Sequence, residues 1–234
     1  MEQLKTFFSE RGVNSILDVG AGSGDFITVL KEVFPKAKIT GVDPDMESLQ
    51  EAAKKHPDCT FMEMRAEKLE FEDNTFGLAS ISMALHHLPD IPAALKEMQR
   101  VVMPGGWIIV NELFSDNLNH AQEVHKMYHH FRSSIDRLTG ITHNKTYEKE
   151  KILQMIKKAD IKIQFHFENR EEKNLIDSPG ELDVRIEKMK QHLEKIKGLP
   201  EYEIYKPQIE EFRQRALLFG FQPATRIVVV GQAK

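Results

Sequence analysis

The sequence predicts a doubly wound α/β fold, and three observations support this assignment. An apolar run, Ile16–Val19, breaks into a glycine-rich stretch that is followed by apolar residues at helical spacing, which indicates strand, tight turn and helix in that order. A second apolar run ends at Asp43, about twenty residues after the first strand. The chain has 234 residues, of which 41% are hydrophobic, and this length fits one α/β domain better than two.

The glycine-rich stretch contains Gly20, Gly22 and Gly24, each separated from the next by one residue. Glycine tolerates a positive φ and lets the backbone approach a ligand closely, because it has no Cβ. Asp43, at the end of the second strand, is placed to accept hydrogen bonds from both hydroxyl groups of a ribose. Together these features predict a pocket for an adenosine-type cofactor.

An acidic residue inside the first strand distinguishes this pattern from that of dinucleotide sites. Those sites favour Gly-x-Gly-x-x-Gly against a pyrophosphate, which Asp18 would repel, whereas Asp18 would attract an ammonium group. The pattern Asp18-x-Gly20-x-Gly22-x-Gly24 resembles motif I of the class I S-adenosylmethionine-dependent methyltransferases, and Asp43 matches their ribose-binding acid. The resemblance implies S-adenosyl-L-methionine as the cofactor, bound by Asp18, the three glycines, Asp43 and Pro44.

Later segments extend the resemblance over roughly residues 14 to 113. Arg65–Phe76 resembles the family's third motif, which flanks the adenine, and this implies Ala66 and Glu67 as cofactor-binding residues. Leu78–Leu88 resembles the fourth strand with the loop that faces the methyl donor, and Pro104–Val110 resembles the turn into the fifth strand. The family fold is a Rossmann-like, mostly parallel sheet of seven strands with an antiparallel edge strand, and we expect it here.

Two positions depart from the family pattern. Arg65 stands where many relatives carry an acidic residue that accepts from the adenine amino group. That contact is therefore expected from Glu67, from the backbone or from water. Gly77 stands where an aspartate usually follows the phenylalanine.

Composition points to a cytoplasmic enzyme with a small-molecule substrate. The net charge is −4 and the isoelectric point about 6.2, whereas nucleic-acid binding normally requires a basic face. The single cysteine, Cys59, excludes an internal disulfide and a cysteine-rich metal site. The sequence has no stretch of transmembrane length and no signal-peptide pattern at its N-terminus. We expect neither nucleic acid nor a membrane as a partner.

Material for a lid over the active site is expected late in the chain. We predict one methyltransferase domain, residues 1–234, with helical lid segments at about 115–145 and 170–220, because more than fifty residues separate the last two strands and a hairpin needs only about two to five. The later predicted helices are 118–138, 147–159, 181–197 and 206–219, and the last two strands are 161–167 and 225–230.

The predicted helix 181–197 carries one continuous apolar stripe. Its members are Leu182, Ile186, Met189, Leu193 and Ile196. Packing against the rest of the chain is the simpler interpretation. The alternative is a seam with a partner helix, which would make the protein a homodimer.

The predicted helix 118–138 places four polar side chains on one flank of its apolar stripe: His125, His129, Arg132 and Asp136. In one interpretation Arg132 and Asp136 form an ordinary i, i+4 pair and the histidines lie on the surface. In a second, His125 and Arg132 meet the methyl acceptor, and the guanidinium then favours an acceptor with an anionic group. Metal binding by the two histidines is third, because Arg132 would repel a cation, and no metal is expected.

Methyl transfer to an acceptor needs alignment and, for some acceptors, a base. The candidates are His86 and His87 after the fourth strand, then His125 and His129, with Glu112 at the end of the fifth strand to orient the base or the acceptor. Two other functions stay open. One is an NAD-dependent oxidoreductase on a similar sheet, and the other is an accessory protein that binds S-adenosylmethionine without catalysis.

Overall fold

A computed structural model describes residues 1–178 and 180–234. The described residues form one seven-stranded sheet in the order β3-β2-β1-β4-β5-β7-β6, mostly parallel with one antiparallel edge, where β7 runs antiparallel to β5. The predicted mostly parallel sheet with an antiparallel edge is thereby confirmed. The strands are β1 (Ser15–Val19), β2 (Lys38–Asp43), β3 (Thr60–Glu63), β4 (Phe76–Ser82), β5 (Val102–Leu113), β6 (Lys162–Asn169) and β7 (Arg226–Gln232).

Eight α-helices and one short 3-10 helix, Leu85–His87, accompany the sheet in the described part of the chain. The helices are α1 (Glu2–Phe8), α2 (Asp25–Val33), α3 (Met46–Lys55), α4 (Ile91–Val101), α5 (His120–Leu138), α6 (Lys149–Lys158), α7 (Glu181–Glu194) and α8 (Glu201–Phe219). Among the described residues, the helices are all too short or too polar to cross a membrane.

The chain divides into two compact units. The sheet unit comprises Met1–Glu112, Glu150–Asn169 and Ile227–Lys234, and the helical unit comprises Leu113–Lys149 and Arg170–Arg226. The helical unit contains both segments for which we predicted a lid. Their action as a lid stays a prediction.

The core of the sheet unit forms where β1 is buried on both faces, as expected for a central parallel strand. Ile16 and Leu78 pack with the inner faces of α1 and α2, represented by Leu4 and Ile27, and all four side chains are fully buried. The turn predicted before the fifth strand is wrong in one respect. β5 already begins at Val102, and the Pro-Gly-Gly sequence lies in its irregular first part, where the register against β4 shifts.

The core of the helical unit is built from α5, α7 and α8. Val124 and Phe131 of α5 pack with Phe212 of α8 and with the apolar stripe predicted for α7. Four members of that stripe are buried and Leu182 packs at its margin, so the chain's own residues cover it. A homodimer through this helix stays a prediction, and it would have to use the helix's other faces.

Helix boundaries in the helical unit differ from those predicted by up to five residues, and α7 ends at Glu194 rather than at residue 197. The α5 helix begins at His120 rather than at residue 118, because Asn119 and Gln122 form a capping box there. The α8 helix begins at Glu201, five residues before the predicted start, and therefore contains Pro207 in its interior. Proline is tolerated best in the first turn of a helix because it lacks a backbone N–H, and the predicted start at residue 206 would have placed Pro207 there.

Candidate functional site

The loops at the carboxyl ends of the parallel strands assemble the candidate cofactor site. The strand order reverses between β1 and β4, which is where doubly wound sheets bind ligands. The loop after β1 is fixed to β2, since the amides of Gly20 and Ala21 donate to the Val42 carbonyl at 2.8 and 3.0 Å. After β4, the Met83 amide donates to the Asn111 carbonyl of β5 at 2.8 Å.

The three glycines of the first loop all have positive φ, at +67°, +49° and +80° for Gly20, Gly22 and Gly24. Their surroundings differ. A Cβ on Gly20 would lie 2.6 Å from the Ala84 Cβ, and one on Gly24 would lie 2.8 Å from the His56 ring. A Cβ on Gly22 would meet no described atom within 4 Å. Gly20 and Gly24 are therefore required by internal packing, whereas Gly22 faces open space beside the backbone, as a ligand requires.

Asp43 is held in place by the backbone. Its Oδ2 accepts a hydrogen bond from the Gly22 amide at 2.9 Å, and its Oδ1 accepts one from the Asp45 amide, also at 2.9 Å. The side chain is half-buried, and Pro44, which follows it, is exposed. A carboxylate oxygen accepts more than one hydrogen bond, so this fixed group retains the capacity to accept from ribose hydroxyls.

The loop after β3 offers a buried acceptor. Glu67 is half-buried, and its Oε1 is buried without a hydrogen-bond partner among the described residues. Its Oε2 lies 3.6 Å from Nε of Arg65. A buried carboxylate oxygen without a partner is costly, and an adenine amino group would satisfy it. Arg65 thus supports the neighbouring acid, and Ala66 between them is buried.

Asp18 lies within β1 and is 1% exposed. Its Oδ1 accepts a hydrogen bond from the Ser80 hydroxyl of β4 at 2.7 Å. Burial raises the pKa of Asp18 to about 7; the Ser80 hydrogen bond opposes this rise and the nearby Asp43 charge adds to it. A cation such as an ammonium group would reverse that shift, so the position fits the group that the sequence assigned to it.

The candidate base after β4 is His86, which is buried, whereas His87 is exposed. Nδ1 of His86 lies 2.9 Å from Oε1 of Glu112, which is 1% exposed, and the two histidine rings are 4.3 Å apart. The loop begins at Met83, whose φ of +56° is unfavourable for a residue with a Cβ. Such strain is typical of functional loops.

The helical unit contains a cavity of 620 Å³. His125 and Arg132, the two residues of α5 that we predicted to meet the acceptor, both line this cavity. Their contact with an acceptor is untested. α7 contributes more of the lining than α5 does, including Arg185 and His192, and Phe221 lies just after α8.

Asp136 does not form the predicted i, i+4 pair with Arg132. Its Oδ2 lies 2.7 Å from Nδ1 of His143, and its Oδ1 lies 2.7 Å from Nε2 of His192. Burial favours the neutral acid, but the His143 hydrogen bond and the nearby His192 outweigh burial and lower the pKa of Asp136. The predicted Arg132–Asp136 pair is wrong because two histidines from other segments contact the Asp136 carboxylate instead.

His129 extends this arrangement, because its Nε2 lies 3.2 Å from Nε2 of His143. Sequence reasoning placed His129 and Asp136 on one flank but did not include His143 or His192. His143 lies just beyond the Gly140 turn and was within reach of a local argument. His192 lies far from Asp136 along the chain, and no pattern in the sequence links the two.

Comparison with known proteins finds methyltransferases among the relatives of this chain. A sequence profile described as a methyltransferase domain matches residues 17–110. The chain is 30% identical over 175 residues to the demethylmenaquinone methyltransferase of Staphylococcus aureus, covering 73% of this chain and 68% of that protein. It is 31% identical over 132 residues to the corresponding protein of Chlorobaculum tepidum and spans about half of that relative, 53%.

Solved structures share the fold. A protein from Bacillus halodurans superposes with a TM-score of 0.68 at 18% identity, covering 99% of this chain and 97% of that one. The [4+2]-cyclase SpnF superposes with a TM-score of 0.58 at 17% identity, and the match covers 99% of this chain and 80% of the cyclase chain. At these identities the likeness shows the fold alone.

The fold and the sequence relatives together identify the class of protein. The chain belongs to the class I S-adenosylmethionine-dependent methyltransferases.

Proposed function

We propose that this methyltransferase modifies a small molecule that carries an anionic group, with S-adenosylmethionine bound in the loops at the carboxyl ends of β1 to β4. The observation that carries the cofactor assignment is the Gly22 position, where a positive φ coincides with open space and with a fixed carboxylate, Asp43. The demethylmenaquinone methyltransferases among the relatives support a small acceptor. The net charge of −4 also favours a small molecule over nucleic acid.

Each cofactor group has a matching residue in the sheet unit. Asp43 is the proposed partner of the ribose hydroxyls, Glu67 of the adenine amino group and Asp18 of the ammonium group. Gly20 and Gly24 shape the loop, while Gly22 leaves room for the ligand, with Pro44 and Ala66 beside these positions. When bound, S-adenosylmethionine supplies an electrophilic methyl group on a sulfonium.

The chain's own chemical contribution is a proton acceptor and its support. If Nδ1 of His86 donates to Glu112, then Nε2 is the nitrogen that accepts a proton from the acceptor. The carboxylate fixes that tautomer and stabilises the imidazolium that forms. His87 is exposed one residue later and is the second candidate for this role. In the helical unit, Arg132 and His125 are the candidates for contact with the acceptor's anionic group.

The first experiment measures what the site binds. Calorimetry should show binding of S-adenosylmethionine and S-adenosylhomocysteine, with no binding of NADH. Tight NADH binding would replace the methyltransferase proposal with the oxidoreductase. Labelled methyl donor is then incubated with acceptors matched in size, some carboxylated or phosphorylated and others neutral. Transfer to the neutral compounds alone would contradict the anionic acceptor, and no transfer to any would favour the accessory protein.

A substitution tests the proposed base. Glu112→Gln should lower turnover about 10- to 100-fold, the scale for one general acid-base group, while the affinity for S-adenosylmethionine stays within twofold. The pH dependence of turnover should change with it, because Glu112 fixes the tautomer of His86. Unchanged turnover and an unchanged pH profile in a folded variant would remove the His86–Glu112 pair from catalysis.

We propose that this reaction takes place in the cytoplasm. The chain has a single cysteine and therefore no internal disulfide that would indicate an oxidising compartment.

A further inference from the structure

The cavity of the helical unit concentrates positive charge. Four of its lining residues are cations: Arg132 from α5, Arg185 and Lys188 from α7, and Lys195 just after α7. None of its lining residues in the described chain is acidic. The whole chain carries a net charge of −4. Four like charges around one space repel each other, so a bound anion would stabilise this arrangement.

Two neighbouring lysines outside the cavity lining have acidic partners, in contrast to the four cavity cations. Lys190 lies 3.7 Å from Glu187, and Lys197 lies 2.9 Å from Glu194, so each has an acidic partner one turn away. The four cavity cations have no carboxylate within 4.0 Å among the residues that the structure describes. Asp136 interacts electrostatically with Lys195, but its two carboxylate oxygens lie against His143 and His192.

The deeper part of the cavity is prepared for a hydrogen-bonding ligand. Arg185 stacks on Phe221, with its guanidinium carbon 4.6 Å from the ring centroid, and donates through one Nη to the Leu175 carbonyl at 3.2 Å. Its Nε is buried and has no hydrogen-bond partner in the described part of the chain, and the same is true of Nδ1 of His125. Burial, assisted by the positive charges of Arg185 and Arg226, lowers the pKa of His125 to about 4. His125 is therefore neutral at pH 7.

The cavity also has an apolar wall, which includes Tyr128, Leu175 and Phe221. Its volume of 620 Å³ lies within the range of about 300–1,000 Å³ that is typical of small-molecule sites. That space is far larger than one inorganic phosphate needs. The lining thus combines a cationic rim with an aromatic and aliphatic wall.

We propose that the cavity of the helical unit binds an amphiphilic small molecule whose head group carries at least two negative charges, such as a phosphate ester or a diphosphate. Arg132, Lys188 and Lys195 bind the head group at the rim, and Arg185 orients it through its planar guanidinium. Tyr128 and Phe221 contact the apolar part. The inference rests on the proposed function only in identifying this ligand with the methyl acceptor.

The test is calorimetric titration of the full chain with three probes: inorganic pyrophosphate, phenyl phosphate and neutral phenol. Pyrophosphate and phenyl phosphate should bind, and their affinities should fall as salt is raised. Phenol at the same concentrations should not bind. The double variant K188Q/K195Q should weaken pyrophosphate about tenfold, consistent with the loss of two partly solvated charged contacts. Both lysines are exposed, so this variant should fold normally.

The matched control is K190Q/K197Q, which removes two charges from the same segment but leaves the cavity lining intact. It should change pyrophosphate affinity less than twofold. Equal losses in the two double variants, or the absence of pyrophosphate and phenyl phosphate binding to the unaltered protein, would overturn the proposal. R185Q gives a second readout and should weaken phenyl phosphate more than K188Q/K195Q does, because Arg185 lies against the aromatic wall.

Titration with S-adenosylmethionine separates this proposal from the cofactor site. The cavity variants should keep their affinity for S-adenosylmethionine, and Asp43→Ala should keep its affinity for pyrophosphate. Pyrophosphate binding without S-adenosylmethionine binding would reject the proposed function alone. The reverse result would reject the anion site alone.

Discussion

The loop after β1 and the cavity of the helical unit hold their charged groups in opposite ways. In the loop, Asp43 is fixed by the amides of Gly22 and Asp45, so its orientation is set before a ligand arrives. In the cavity, Arg132, Lys188 and Lys195 are exposed and lack acidic partners among the described residues. The loop is therefore a preorganised site in which one substitution should disrupt ligand binding. The cavity instead has adaptable contacts, and each substitution there should remove only one of them.

The largest effect is expected from Gly22→Val. A β-branched residue is strained at φ +49°, and its side chain would enter the open space beside the loop. Affinity for S-adenosylmethionine should fall at least about a hundredfold, while the melting temperature falls by only a few degrees, as for a strain of about 1–2 kcal/mol. Calorimetry and a thermal melt measure the two quantities.

Gly20→Ala is the matched control, because its Cβ would lie 2.6 Å from the Ala84 Cβ rather than in open space. This variant should lose stability and affinity together. If Gly22→Val instead destabilised the protein as strongly as Gly20→Ala, the difference between a packing glycine and a ligand-facing glycine would not hold.

These two glycines also show what a sequence discloses. The spacing of Gly20, Gly22 and Gly24 predicted the loop and its positive φ values, because a short strand-turn-helix unit is encoded locally. It did not show that Gly22 alone faces open space. That distinction depends on Ala84 and His56, which come close only when other strands and helices pack against the loop.

The helical unit was predicted less completely for the same reason. Periodicity located α5 and α7 and their buried stripes, since apolar spacing along one helix is a local property. The partners of Asp136 are His143 and His192, and His192 lies on a different helix, α7. Helix periodicity gives the direction of a side chain but not the identity of the residue that it meets. The cationic cavity depends on such a meeting of α5 with α7.

A second prediction tests whether the adaptable contacts of the cavity matter for the reaction. Arg132→Ala should lower turnover of an anionic acceptor about a hundredfold, the scale for a charged positioning contact, and leave S-adenosylmethionine affinity nearly unchanged. His129→Ala should reduce turnover less, because His129 contacts His143 and is not among the cavity residues. Steady-state kinetics with one carboxylated or phosphorylated acceptor compares the two. A larger loss for His129→Ala would contradict this assignment.

Asp43→Ala examines the preorganised carboxylate itself. Affinity for S-adenosylmethionine should fall about 10- to 100-fold, which corresponds to two charge-assisted hydrogen bonds of roughly 1.5–3 kcal/mol each, partly replaced by water. Asp43→Asn is the control, since its amide oxygen still accepts one of the two backbone hydrogen bonds. It should retain more affinity than the alanine variant. Wild-type affinity in a folded Asp43→Ala protein would remove the ribose assignment.

The smallest expected effect concerns Asp18, whose raised pKa links the preorganised site to pH. The pKa is about 7 in the folded chain and 3.8 is its ordinary value. Between these two values the folded state binds a proton that the unfolded state has lost. The free energy of unfolding contributed by Asp18 therefore falls as pH rises from about 4 to about 7. Asp18→Asn should remove this dependence.

The same titration should govern cofactor binding in the opposite direction. If Asp18 pairs with the ammonium group, its carboxyl must lose a proton when S-adenosylmethionine binds, and this costs free energy only below pH 7. Affinity should thus rise about tenfold from pH 6 to pH 7.5, one pKa unit being a factor of ten. Asp18→Asn should bind more weakly at pH 7.5 and show little change over that interval. Calorimetry in two buffers of different ionisation enthalpy should detect the proton released by the wild-type protein at pH 6. If no proton is released, Asp18 stays protonated in the complex and contributes to the loop through Ser80 rather than through the ligand.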